Sequence, residues 1–476
     1  MSEKSFDLRS SRESVRLTRR RLVAGLGLLA STGILAACSG SPSAAPTAAA
    51  AAPVNTPAAA PTAPPAATAA TNASQPATSP AAQAASTTPA NITFWHVDSG
   101  SLNKPVQDAI VDFQQQHPGI TVKLENPAPW NTVPTKYAAA FKAGSAADVC
   151  QVAFPWTFGF AQQGAITDVS SYVQKAGIQS DFIKPAWNMV LYQSKPFGVP
   201  WQADTLGLVY RADWFKTNNL TPPATMDDLL TVAKKLTDQS KNQYGIGYAG
   251  GFVFFDLTTH LWGNGGDFVT QNSDGTWKSV INSKAGAATI QYWIDLVQKD
   301  KVTPQSIVTL ANYLDADPGL AIGQFGMVFM APGEYRDLRN THPNVEIGTA
   351  IYPAGTANKP SKMGGRSLVI PKSTKAPDAA WAFTEYLTSA EAFSKHLRAI
   401  AEFPTRQSVL DKVQWDPLDK PYVDMIPYSR TYPSFAQFAA IQQGMNKDFQ
   451  AGLAGNQTGE AVAKQMDSHI TALIKQ

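Results

Sequence analysis

Hydrophobic positions fall into three regimes along this chain. Residues 22–37 form an apolar run of 16 residues behind a basic stretch over 9–21. Sixteen is short of the roughly 20 apolar residues that a helix needs to cross a bilayer. A basic end, an apolar segment and small residues before a cut predict an export signal over 1–37. Residues 39–90 show no periodicity: they are almost all Ala, Pro, Thr and Ser, with no charged or aromatic residue. Such a stretch has too little apolar bulk to offset its ordering entropy, so 38–90 is expected to be a disordered tether, extended by its prolines.

From Asn91 onward the periodicity of a folded body sets in. Residues 92–97 and 120–124 read as strands, with a helix over 106–116 that ends before Pro118-Gly119. Strand, helix, strand predicts a parallel α/β arrangement. Further strands are expected over 206–210, 326–330 and 367–370, the last stopped by Pro371. Thr225-Met226-Asp227-Asp228 has the form of a capping box, with Asp228 in place of the usual glutamate. Leu229, Val232, Ala233 and Leu236 make one helical stripe, and Ile290, Trp293, Ile294 and Val297 another. Ala380, Phe383 and Leu387 mark a third helix. The 386 residues from 91 to 476 exceed one ordinary core, which predicts two domains.

Charge changes the picture only by where it sits. Residues 1–37 hold seven Lys or Arg against three acids, out of 39 and 36 in the chain. The rest therefore carries 32 basic and 33 acidic residues, a net charge of −1. No clustered basic face argues for a nucleic-acid partner. Cys38 follows Leu35-Ala36-Ala37, the spacing of a bacterial lipobox, in which the thiol is acylated and the signal cut before it. Two acyl chains on one cysteine suffice for stable anchoring. Thr18-Arg19-Arg20-Arg21-Leu22-Val23 is similar to a twin-arginine signal; a general secretory signal is the alternative. Cys150 would then be the lone thiol, in an apolar context, so no disulfide and no cysteine metal site is expected. The six histidines are scattered, and no metal or cofactor site is expected.

The chain contains no phosphate loop, no His-Glu-x-x-His and no Gly-x-Ser-x-Gly. It is read as a binding protein, not an enzyme, with a carboxylate-pair glycoside hydrolase as the less favoured alternative. Eleven tryptophans stand out, several beside polar groups in expected turns. A sugar has an apolar C–H face that an aromatic ring covers and a hydroxyl rim that carboxylates, amides and Arg bind. Trp293 and Trp381, on helical stripes, are assigned to the core.

Several segments, in order, resemble one family. They are 141–149 (with Ala147 where the family writes proline), 197–201, 210–215 (with Tyr210-Arg211 for Tyr-Asn), 222–229, 326–333 and 364–372. Together they are similar to the extracellular solute-binding proteins of bacterial ABC importers, in the carbohydrate-binding group of maltodextrin- and multiple-sugar-binding lipoproteins. The resemblance implies an α/β, two-lobe periplasmic-binding-protein-like fold with a hinge and an interlobe ligand cleft. Lobe one would be 91–203 plus 366–412, and lobe two 206–362 plus 415–476. Hinge closure on the ligand is the expected motion. Carried over by position, lobe one would offer Trp95, His96, Asp98, Phe154 and Trp156, and the start of the crossing strand Asp204, accompanied by Trp201 and Gln202. Lobe two would offer Phe255, Trp262, Asn264, Glu334 and Tyr335, with Arg366 at the return crossing. For Arg366 an ion pair between lobes stands equally with a ligand contact. For His96 a structural role competes, and Asp148 is read as a turn residue. The resemblance implies a monomeric lipoprotein, anchored through Cys38 at the outer face of the cytoplasmic membrane. It would hand a sugar, an oligosaccharide, to an ABC permease and its ATPase. A polyamine or glycerol phosphate cargo is the alternative within the same fold.

Overall fold

In a computed structural model the strand-forming runs gather mainly into two sheets, beside two two-stranded pairs among the described residues. It describes residues 89–97, 103–127, 132–400, 402–435 and 437–475. The signal, Cys38, nearly all of the tether and Asp98 lie outside these residues. Ala90, counted with the tether, already pairs with Ile120 in the first strand.

The larger sheet has six strands, in the order Phe403–Pro404, Val199–Thr205, Met363–Val369, Val149–Ala153, Ala90–Trp95, Ile120–Glu125. Ala90–Trp95 runs parallel to both Ile120–Glu125 and Val149–Ala153. The helix Asn103–Gln116 makes the first crossover and buries Val106, Ala109, Ile110 and Phe113. The other three strands are antiparallel, so the sheet is mixed rather than wholly parallel. Met363–Val369 returns beside Val199–Thr205 from the opposite direction, after the chain has passed through the second sheet.

The smaller sheet has Gly207–Arg211 at its centre, antiparallel to Met327–Met330 and Ile347–Ala350. Its helices follow the expected stripes. Met226–Leu236 starts at the Thr225/Asp228 capping box, with both reciprocal bonds formed at 3.1 Å. Lys284–Gln298 buries Ile290, Trp293, Ile294 and Val297. Trp293 sits in the core around this sheet and Trp381 in the core of the larger one. Both sheets lie within one compact unit, Ala81–Gln476. No helix among the described residues is long and apolar enough to cross a membrane.

The sheets are joined by chain that belongs to both. Val199–Thr205 passes through Leu206 directly into Gly207–Arg211. The returning strand pairs Gly364 with Asp204 and Gly365 with Ala203, and its register shifts between Arg366 and Ser367. Gly365 has φ +140°, and a Cβ there would lie 2.2 Å from the Gln202 carbonyl oxygen and 2.7 Å from the Phe154 ring. Only glycine fits so close an approach of backbone to backbone. This crossing carries the polar groups described next.

Candidate ligand-binding site

Strand alternation sorts the outgoing crossing into two faces. Trp201 and Ala203 point one way and are buried; Gln202 and Asp204 point the other. Asp204 forms an ion pair with Lys362 at 2.6 Å, and both side chains are largely buried. Arg366, on the return strand, donates to Gln202 Oε1 at 3.2 Å and pairs with the Glu402 carboxylate. Gln202 is buried, and its Nε2 has no hydrogen-bond partner. Lys362, Gln202, Asp204, Arg366 and Glu402 thus form a polar layer where the chain crosses.

Against this layer stands a wall of rings and acids from the other side of the crossing. Phe255 and Asp256 lie in the first turn of Phe254–Gly263. The Lys362 ammonium sits 5.0 Å from the Phe255 ring centroid. Tyr313 meets Phe255 edge-on at 5.2 Å and Phe252 at 6.0 Å, and Tyr432 lies 5.8 Å from Phe255. Glu334, in the first turn of Pro332–Thr341, accepts from the Ala331 N–H. Asp317 opens the short helix Asp317–Ala321.

The acids perturb one another. Burial, then the charge of Glu334, raises Asp256 from 3.8 to about 8. Burial and the charges of Glu334 and Asp256 raise Asp317, and burial raises Glu334 although Ala331 N–H and Lys362 pull it down. An acid whose folded pKa exceeds its unfolded one binds its proton more tightly when folded. Its contribution is complete below the unfolded value and is lost as pH rises through the folded one. Ligand-free protein is therefore expected to melt lower at about pH 8.5 than at about pH 5.5, and Asp256→Asn to flatten that slope. A melting temperature that rises across this interval, equally in wild type and variant, would remove Asp256 from the explanation.

The sequence candidates separate. Gln202, Asp204, Phe255, Glu334 and Arg366 come together here. Trp201 faces the core, its indole N–H on the Leu387 carbonyl at 3.1 Å. Trp262 is buried at the end of its helix, donating to Asp267 at 3.0 Å under the Arg430 guanidinium. Asn264 holds Thr289 and Thr356. Tyr335 is buried, its hydroxyl on Asp419. Phe154 is fully buried beneath Gly365, and Trp95 packs on Tyr137 with its indole N–H on Glu125. His96 is buried, with Nδ1 2.9 Å from Asn103 Oδ1, in keeping with its structural alternative. Trp156 stays half-buried beside the Val152 cluster. Arg366 pairs with Glu402, on the same side of the crossing by the expected lobe bounds, and not with a residue of the other lobe as its ion-pair alternative had it. Asp148 takes the turn role, accepting from Thr93 N–H and the Thr374 hydroxyl.

Sequence reasoning missed Asp256, Asp317, Tyr313, Lys362 and Glu402. Asp256 alone had a visible signal, a single acid inside the apolar run 252–257. Two surface cavities, of about 610 and 510 Å³, are lined by segments such as 170–180 and 138–142 and share no residue with this site. No group of His, Cys, Asp and Glu among the described residues is arranged to hold a metal ion.

Known proteins share this fold. A Thermotoga lettingae ABC-transporter solute-binding protein, solved with α-D-tagatose, is 24% identical with a TM-score of 0.71 over 81% of this chain and 99% of that one. The GacH receptor of Streptomyces glaucescens, solved unliganded and with acarbose, is 22% identical with a TM-score of 0.71 over 81% and 98%. The sn-glycerol-3-phosphate-binding periplasmic protein UgpB of Escherichia coli (strain K12) is 30% identical over 197 residues, 39% of this chain and 44% of that one. Residues 96–392, more than half of the chain, match the family described as bacterial extracellular solute-binding protein. With its two lobes joined at a polar crossing, the chain belongs to the bacterial extracellular solute-binding proteins.

Proposed function

We propose that this protein captures an extracellular sugar, an oligosaccharide, and delivers it to an ABC permease and its ATPase. The observation that carries the reading is the polar layer of Gln202, Asp204, Lys362 and Arg366 facing the Phe255 and Tyr313 rings. Donors and acceptors in that layer suit a hydroxyl rim, and the rings suit a C–H face. Solved relatives that hold tagatose or acarbose support it. The lobes would divide as the sequence reading has them, near 203–206 and 362–366, and ligand held by both would favour the closed form. Lipidation of Cys38, with the tether lifting the body off the membrane, completes the proposal, and the protein acts as a monomer.

The UgpB match raises glycerol phosphate as a second cargo. Asp256, Asp317 and Glu334 weigh against it, since an anion would enter a wall of acids. A thermal-shift screen of the protein against mono- and oligosaccharides, glycerol phosphates and polyamines tests the reading. A sugar at a hundred times its Kd should stabilise by about 2.7 kcal/mol. A shift with glycerol phosphate and none with any sugar would overturn it.

A further inference from the structure

The acids around the crossing outnumber the basic side chains that pair with them. Lys362 is paired with Asp204, Arg366 with Glu402, Arg336 with Asp419 and Arg430 with Asp267. Asp315 is occupied at a turn, accepting from the Ala311 and Asn312 N–H groups. That leaves Asp256, Asp317 and Glu334 with no basic side chain in an ion pair among the described residues. Asp256 is 4% exposed, and its Oδ1 is buried with no hydrogen-bond partner. The Tyr313 hydroxyl is likewise buried and unpartnered, and it lies in the field of Glu334, Asp256, Asp317 and Asp204 together.

Two independent features of this wall favour a cation. A carboxylate oxygen without a donor costs free energy unless a ligand supplies one. Aromatic faces attract a positive charge, and the protein's own Lys362 ammonium already uses the Phe255 ring in this way.

We propose that the solute carries a protonated amine, seated between the carboxylates of Asp256, Asp317 and Glu334 and the rings of Phe255 and Tyr313. Resting on the sugar reading above, the cargo is then an amino sugar, its hydroxyls on the crossing layer and its ammonium on the acidic wall. A primary ammonium donates the hydrogen bonds that Asp256 Oδ1 lacks, which a quaternary nitrogen does not. Because burial raises the pKa of each of these acids, a seated cation, which favours their charged forms, releases protons.

The test is calorimetric titration of the whole protein at about pH 7 with a glucosamine disaccharide, its N-acetylated form, maltose, cellobiose and spermidine, repeated in two buffers of different ionisation heat. The glucosamine disaccharide is expected to bind about tenfold or more tighter than its N-acetylated form and to release protons. Asp256→Asn and Glu334→Gln should erase that preference while the variants still melt cooperatively. Equal or tighter binding of the N-acetylated or neutral sugars overturns the amine and leaves the sugar reading standing. Binding of spermidine alone keeps the acidic wall and overturns the sugar. Binding by no amine-bearing probe overturns the proposal outright.

Discussion

Replacing Asp204 with alanine is expected to cost about 3–5 kcal/mol of folding stability, the range for removing one partner of a buried ion pair. The Lys362 side chain is 7% exposed and that of Asp204 15%, so neither charge is well reached by water. Alanine leaves the ammonium facing Phe255 with Asp256 and Glu334 as its remaining neighbours. Some of the loss should be recovered when Lys362→Met is combined with Asp204→Ala, because no charge is then stranded. Urea denaturation of the two single variants and the double variant gives the coupling energy directly. A single-variant loss below about 1 kcal/mol would mean that the pair behaves as an exposed one. Under the proposed function, ligand affinity should fall in the single variant as well, since the layer that holds Asp204 would then face the solute.

Much of this architecture was legible in the sequence, and the reasons are local. The capping box at Thr225 and Asp228 needs only four consecutive residues, and it formed as read. The stripe through Trp293 defined a buried helix face for the same reason. Trp201 shows how far local reasoning could have gone. Adjacent residues of one strand face opposite ways, so Trp201 and Gln202 could not both line one site. Once 199–205 is seen to be a strand, its alternation sends the ring to the core and the amide to the crossing. Trp262, one of the tryptophans expected in a turn, is instead in the last turn of Phe254–Gly263.

What could not be read is long-range pairing. Lys362 meets Asp204 across 158 positions, and Arg366 meets Glu402 across 36. No periodicity encodes such a match, because each side chain is ordinary in its own segment. The acids of the wall come from three separate helical starts, 254–256, 317 and 332–334, which only the folded chain brings together.

The tryptophan reading can be settled by a pair of truncations. Trp262→Ala is expected to lower stability by about 3–5 kcal/mol, as for a large aromatic removed from a core. Its ring is 2% exposed, 5.1 Å from Tyr432 and 4.7 Å beneath the Arg430 guanidinium, and its N–H is spent on Asp267. No face remains for a solute, so affinity measured on the folded variant should change little. Phe255→Ala should do the reverse. That ring is only partly buried and stands between Lys362 and Tyr313, so its loss should weaken binding by about tenfold. Its stability loss should be smaller, since fewer of its contacts are in the core. Melting and titration on the two variants separate the roles. If Trp262→Ala kept its melting temperature and lost its ligand, the ring would have to swing out to meet the solute. The aromatic wall would then need to be redrawn around Trp262 instead of Phe255.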